Sequence, residues 1–411
     1  MIVSVSNSNV SVSGNILLPA SKSISNRILI ISALSGNTFP VRNLSDSDDT
    51  RVMQEALKLD KHQFNIGHAG TAMRFLTAFL AMLPGEWEIT GSERMKQRPV
   101  KILVDALSEL GAKIYYKEKE GFPPLRIHGS GLKGKKIELD GSISSQYISA
   151  LLMIAPKIEN GLTLKLTGDV TSSSYIKLTL NLMRRFGIKY EWKEDTITVP
   201  QQDYTPVEFT VESDWTGASY WYQVLAVAEK GNLLLENLEL KSLQGDSKIS
   251  EWFELFGINS EEHEKGIVIS KTKNVMPSKL DLDFRENPDV AQTMACLSVS
   301  KGIPFHFTGL KTLKIKETDR IFALQKELAK FGAILTEPLP GELKWDGDTD
   351  LSGKVHIPVI NTYNDHRMAM AFALMARPGV ILKIVDPAVV TKSYPYYWED
   401  LKKTGFEISY E

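Results

Sequence analysis

Lys22, Ser23 and Arg27 crowd the first turns of a segment, SKSISNRILIISALSG, that then becomes almost wholly apolar. A helix N-terminus already presents unpaired backbone N–H groups and a partial positive charge, so two added cations suit it to an anion. The pattern recurs. Gly70, Thr71 and Arg74 open AGTAMRFLTAFLAML, Ser144, Ser145 and Gln146 open SSQYISALLMIAP, Asp289 stands in NPDVAQTMACLSVS, and His366 and Arg367 follow the start of NDHRMAMAFALMA. Other segment starts carry Arg98, the pair Ser172 and Tyr175, the trio Lys316, Glu317 and Arg320, and Lys392. Any one of these cations alone reads as a solvated or ion-paired surface group. Repetition at equivalent places reverses that reading and implies a ligand with several negative charges, held by arginine forks and lysine point charges.

The elements that carry these residues form two alternating series. Mostly apolar helices, buried on most sides, start near Ser21, Ala69, Ser144, Asp214, Asn287 and Asn364, at successive differences of 48, 75, 70, 73 and 77 residues. Amphipathic helices start near Thr50, Arg98, Ser174, Asp246, Thr318 and Ser393, at differences of 48, 76, 72, 72 and 75, and most stop at glycine. Short β-branched or alternating runs such as LTLKLTG, DTITVP and ILKIVDP lie between them and read as strands. Two helix series with the same spacing give six copies of one unit: strand, buried helix, strand, amphipathic helix, strand pair. The first copy lacks about 25 residues, mostly between EALKLD and FNIGHAG, which predicts the loss of part of one strand pair. Six copies exceed one core, so the fold class is α/β with two similar three-repeat domains, residues 20–212 and residues 1–19 with 213–411.

Composition excludes several classes. At 411 residues, 43% hydrophobic and 24% charged, the chain is neither disordered nor fibrous, and a net charge of -2 gives no bulk field for nucleic acid or an anionic membrane. One cysteine, Cys296, makes no internal disulfide and no cysteine-based zinc cage, and seven histidines show no metal spacing. The start MIVSVSNSNVSVSG lacks the form of a secretory leader, and no run of about 18 apolar residues occurs, so a cytoplasmic location is expected. Cys296, inside AQTMACLSV, reads as core. Asp289, one residue after Pro288, is by itself a favourable first-turn acid, and Glu317, three before Arg320, reads equally as a helix-end ion pair.

Eight ordered motifs, SKSISNR, GHAGTAMR, ERMKQRPV, GSISSQYISALLM, NPDVAQT, KIKETDR, YNDHRMAM and DPAVVTKSYP, resemble those of the 5-enolpyruvylshikimate-3-phosphate synthase family over nearly the whole chain. The resemblance implies two domains, each an inside-out α/β barrel of three βαβαββ-like repeats, closing over a cleft where the helix starts meet. It implies transfer of the enolpyruvyl group of phosphoenolpyruvate to the 5-hydroxyl of shikimate 3-phosphate, with release of phosphate, by addition and elimination, without cofactor or metal, in a monomer. Ser144, Ser145, Ser172 and Tyr175 resemble the shikimate 3-phosphate contacts, with Ser23 and Arg27 on its carboxylate side, Gln146 between the substrates and Lys316 a further contact. Arg98, Arg320, Arg367 and Lys392 resemble the phosphoenolpyruvate clamp, with Gly70 allowing close approach. Asp289 resembles the group that takes the 5-hydroxyl proton, Glu317 the proton donor to the methylene carbon, and Lys22 the third catalytic member. His366 is read as orienting Glu317 or Arg367. Competition by glyphosate, whose carboxylate and phosphonate match the ends of phosphoenolpyruvate, is implied as well.

Three positions depart from the family pattern: His68 where asparagine is usual, Phe75 where proline is common, and Thr312 where asparagine often contacts substrate. Two alternatives remain. A related enolpyruvyl transferase acting on UDP-N-acetylglucosamine usually carries a reactive loop cysteine and lacks the combination of SKSxSNR and KETDR; a non-catalytic anion-binding scaffold has no need of Lys22, Asp289 and Glu317 together.

Overall fold

Ser21, Ser144, Asp214, Asp319 and Asp365 each sit just before a helix and accept a hydrogen bond from a backbone N–H of its first turn, so the polar starts read from the sequence are helix caps. The computed structural model describes all residues except Asn9, Val10, Asn37, Thr38, Ile143, Asp169, Thr171 and 349–356. Ile143, within the GSISSQY motif, thus lies outside the described residues. Two compact units divide the chain: a central unit, Ala20–Val211, and a terminal unit, Met1–Pro19 with Glu212–Glu411.

The central unit holds helices α1 (Lys22–Leu34), α2 (Asp48–Leu57), α3 (Gly70–Met82), α4 (Lys101–Glu109), α5 (Ser145–Ile154) and α6 (Ser173–Arg185). The terminal unit holds α7 (Trp215–Val227), α8 (Ile249–Glu254), α9 (Ala291–Lys301), α10 (Arg320–Leu328), α11 (His366–Ala373) and α12 (Tyr397–Lys403). Odd-numbered helices are the apolar ones. Every residue of α7 from Trp215 to Ala226 is buried, whereas α2 buries only Asp49, Thr50, Met53 and Ala56. Within the central unit α1, α3 and α5 pack on one another; within the terminal unit α9 packs on both α7 and α11. Cys296 lies in that terminal core, as expected for a small apolar residue.

Helices α3, α5, α9 and α11 each cross over between two parallel strands, whereas the strands flanking α1 and α7 pair with each other, Ser11–Leu17 with Lys230–Glu236 and Val41–Arg42 with Phe209–Thr210. Around α3 the strands Gln63–Asn65 and Gly85–Thr90 pair in parallel, followed outward by Leu125–Gly129 and Lys113–Tyr116. Lys136–Asp140 and Leu162–Thr167 do the same around α5, with Thr196–Val199 and Glu191–Lys193 beyond. In the terminal unit Ser11–Leu17 pairs in parallel with Lys230–Glu236, and Val359–Ile360 with Leu382–Val385 around α11. The N-terminal strand Ile2–Ser6 completes this last sheet, between Leu382–Val385 and Glu407–Tyr410. The chain's first two strands therefore serve different sheets. The sheet at α9 shows three strands among the described residues, Leu280–Asp283, Phe305–Thr308 and Leu343–Trp345, with a lone bridge from Thr336 to Lys344 in the fourth place.

The first repeat is cut further than its sequence suggests. Among the described residues Val41–Arg42 pairs only with Phe209–Thr210, as a two-stranded parallel sheet. Residues 58–62 are all that separate α2 from the next strand, too short a stretch for a hairpin, so the whole antiparallel pair is missing, not part of it. No motif residue goes with it. The domain boundary also moves by one residue. Glu212, read as the end of the first domain, accepts from Trp215 Nε1, Ser242 Oγ and Gln244 Nε2 at 2.6–2.9 Å, all in the terminal unit.

Candidate active site

In the central unit Lys22, the first residue of α1, has its ammonium 3.4 Å from Asp49 Oδ2 of α2, and both side chains are largely buried. Ser23 beside it is half-buried. Arg27, one turn on, is not an outward-facing cation. It is 2% exposed; Nε donates to Thr179 Oγ1 at 2.7 Å, Nη1 to the Ser23 carbonyl at 2.8 Å and Nη2 to Ser149 Oγ at 3.2 Å. Burial lowers its pKa to about 10, with Tyr175 opposing. Arg27 is thus a strut joining α1, α5 and α6, a role that sequence spacing does not reveal because its partners lie 122 and 152 residues away. Ser144 caps α5, Ser145 is buried, and Gln146 Nε2 donates to Thr71 Oγ1 of α3 at 3.4 Å. Ser172 precedes α6 in a left-handed conformation, φ 57°, with Tyr175 one turn on.

Arg98 differs from the other cations of the unit. It is 8% exposed, its Nε is buried, and among the described residues no acceptor bonds its guanidinium. A buried donor left without an acceptor is costly, and a ligand oxygen that meets it removes that cost. Its backbone is pinned: the adjacent Pro99 carbonyl accepts from Arg74 Nη2 at 3.0 Å and from the Tyr147 hydroxyl at 2.5 Å. Its guanidinium lies flat against Gly70, where a Cβ would come within 2.5 Å of Nη1 and 2.9 Å of Cζ. Phe75, a departure from the family pattern, points into the core with the Arg27 guanidinium 5.4 Å from its ring, and α3 still starts at Gly70. His68 Nδ1 pairs with Ser92 Oγ at 3.0 Å.

In the terminal unit the site residues form one ion network. Asp289 stands in a 3₁₀ turn, Pro288–Val290, just before α9, and accepts from Arg320 Nη1 at 2.9 Å and Arg367 Nη2 at 3.0 Å, with Lys316 Nζ 3.7 Å away. Arg320, at the start of α10, divides its guanidinium among three acids: Asp289, Glu317 Oε2 at 2.9 Å and Asp365 Oδ2 at 2.7 Å. Glu317 Oε1 accepts from Lys392 Nζ at 3.1 Å, so the ion-pair reading of Glu317 holds and gains a partner 75 residues away. Four cations face three carboxylates. Burial opposes the Asp289 charge, but Arg367, Lys316 and Arg320 outweigh it and hold the carboxyl well below its usual range. Burial depresses Lys316, while Asp365, Glu317 and Asp289 overcome burial and push Arg320 up. His366, 1% exposed, has Nδ1 3.7 Å from Asp365 Oδ1, which ties it to the acid behind Arg320. Thr312, 6% exposed, has its hydroxyl buried without a hydrogen-bond partner among the described residues.

Three acids that spacing did not single out complete these clusters: Asp49 at Lys22, Asp365 at Arg320, and Asp246, which accepts from the Thr216 hydroxyl and from Asn287 Nδ2 at 3.4 Å. Each stands at or near a helix start, and SDSDD, QGDS and YNDH were the available signals. Burial, and then Asp289, raise Asp246 to about 6. Between the unfolded value near 4 and that folded value, the folded chain holds a proton that the unfolded chain releases, so stability falls as pH rises through the window. Asp246→Asn removes this loss. It should raise unfolding free energy by about 1–3 kcal/mol at pH 8 and leave it nearly unchanged at pH 4. Urea unfolding at the two pH values checks the sign; an equal shift at both would remove Asp246 as the cause.

A sequence model of EPSP synthase (3-phosphoshikimate 1-carboxyvinyltransferase) matches residues 7–59 and 58–401. The chain belongs to the EPSP synthase family. It is 52% identical over 398 residues to a 3-phosphoshikimate 1-carboxyvinyltransferase of Bacteroides fragilis, covering 97% of this chain and 96% of that one. It is 37% identical over 421 residues to the enzyme of the same name from Aliivibrio fischeri, covering 95% and 97%. The fold is that of an EPSP synthase from Acinetobacter baumannii, with a TM-score of 0.78, 21% identity and full coverage of both chains. Among the described residues no helix is long and apolar enough to cross a membrane.

Proposed function

We propose that this chain transfers the enolpyruvyl group of phosphoenolpyruvate to the 5-hydroxyl of shikimate 3-phosphate, as a monomeric cytoplasmic enzyme. The hydroxyl oxygen attacks C2 of phosphoenolpyruvate while C3 gains a proton, giving a tetrahedral adduct. Loss of phosphate from C2 and of a proton from C3 restores the enol ether. Ser144, Ser145, Ser172 and Tyr175, with Ser23 and the Arg27 strut behind it, bind shikimate 3-phosphate, and Gln146 and Lys316 add contacts. Arg98, Arg320, Arg367 and Lys392, the positions that match the family's clamp motifs, hold the anionic ends of phosphoenolpyruvate. Lys22 faces the hydroxyl and the leaving phosphate, Asp289 takes the hydroxyl proton, and Glu317 donates to the methylene carbon.

The observation that carries this reading is Arg98: its buried Nε has no acceptor among the described residues, and its guanidinium packs against Gly70, where no side chain intervenes. Cys296 argues against transfer to UDP-N-acetylglucosamine through a reactive thiol, since it is fully buried and burial pushes the thiol pKa up. Phosphate release measured with each substrate alone and with both together tests the reading. Release should require shikimate 3-phosphate and phosphoenolpyruvate together. Release with UDP-N-acetylglucosamine in place of shikimate 3-phosphate, or none at all, would refute it.

A further inference from the structure

Helix α10 grips the entry to α11 from both ends. At its start, Arg320 Nε donates to Asp365 Oδ2 at 2.7 Å. Near its end Glu327, 1% exposed, turns its carboxylate to the segment just before α11. One oxygen accepts from the Asn361 backbone N–H at 3.0 Å and from Lys330 Nζ at 2.5 Å; the other accepts from the Tyr363 hydroxyl at 2.7 Å. Glu327, with Lys330 three residues on, has the spacing of an ordinary surface ion pair. Its burial and its three donors contradict that, and two of the donors belong to the α11 entry.

The segment so held is strained. Tyr363 and Asn364 are both left-handed, at φ 54° and 56°, a conformation that side chains with a Cβ resist and that persists only where the surroundings over-determine it. The turn they make delivers the next residue, Asp365, to two tasks: it accepts from the Arg367 N–H at 2.9 Å, capping α11, and it takes Arg320. Arg367 then reaches Asp289 at 3.0 Å. The positions of both arginines therefore depend on a turn that Glu327 fastens.

We propose that Glu327, through Tyr363 and the Asn361 backbone, is a positioning residue that sets Arg320 and Arg367 for phosphoenolpyruvate. This rests on the enolpyruvyl-transfer reading above. Tyr363→Phe removes one hydrogen bond, Glu327→Ala removes the acceptor, and Glu327→Gln keeps its shape and one carbonyl oxygen. With the full chain in the forward reaction, the KM for phosphoenolpyruvate should rise about tenfold in Tyr363→Phe and further in Glu327→Ala. Glu327→Gln should return it to within about threefold of wild type, while shikimate 3-phosphate affinity, by calorimetry, stays within about twofold throughout. A merely structural role would weaken both substrates together. Should Glu327→Ala not fold, Tyr363→Phe, whose ring still fills the site, decides. Active wild type with an unchanged phosphoenolpyruvate KM in Tyr363→Phe, or with parallel losses for both substrates, overturns the positioning role alone. Inactive wild type overturns the enolpyruvyl-transfer reading and the inference with it.

Discussion

Asp289→Asn should lower turnover by about three orders of magnitude while shikimate 3-phosphate affinity changes by less than about tenfold. Asparagine keeps the size and one acceptor but cannot take a proton. The geometry adds a second effect. Asp289 is the anion between Arg320, Arg367 and Lys316, and those cations hold its carboxyl well below the usual range, against the opposing effect of burial. A carboxylate so stabilised is a weak base. An anionic substrate that meets the same cations offsets their field, so the basicity of Asp289 rises only when the site is filled. In Asp289→Asn the arginines lose their common partner, and the KM for phosphoenolpyruvate should shift as well, by roughly tenfold or less. Single-turnover kinetics with calorimetry of shikimate 3-phosphate separate these effects. Lost binding equal to the lost rate would reassign Asp289 to holding the ring.

Gly70→Ala should raise the inhibition constant of glyphosate more than it raises the KM for phosphoenolpyruvate. From sequence, the added methyl group acts on the ligand directly, because glyphosate is the longer of the two. In the structure the methyl group first meets Arg98, at 2.5 Å from Nη1 and 2.9 Å from Nη2. A guanidinium is the far end of a flexible side chain, so it yields and the fold survives, but the displaced cation is the one proposed for the phosphoenolpyruvate clamp. Both constants should therefore rise. Overpacking of this kind costs about 1–3 kcal/mol, roughly 5- to 150-fold in affinity, and the longer ligand has less room to follow the shifted cation. Inhibition of wild type and Gly70→Ala at several phosphoenolpyruvate concentrations gives the comparison. Equal proportional changes, or inhibition that phosphoenolpyruvate does not relieve, would defeat the steric account.

The helix order of this protein was written in its sequence. Buried helices α1, α3, α5, α7, α9 and α11 alternate with amphipathic ones, each announced by an apolar run behind a polar start, because caps and periodicity act within a turn or two of chain. The polar residues at the helix starts were legible for the same reason, since a cap acts on the backbone of its own first turn. What the cations pair with was not. Asp49 meets Lys22, Asp365 and Asp289 meet Arg320, and Lys392 meets Glu317 across separations of up to 75 residues, distances over which no spacing rule operates. Arg27, expected from sequence on the carboxylate side of shikimate 3-phosphate, is a strut because α5 and α6 close over it. The loss of a whole strand pair from the first repeat, and the division of the first two strands between different sheets, also emerged only on folding. Strand pairing is decided by which backbone edges the packed helices leave adjacent, and only the tertiary structure supplies that adjacency.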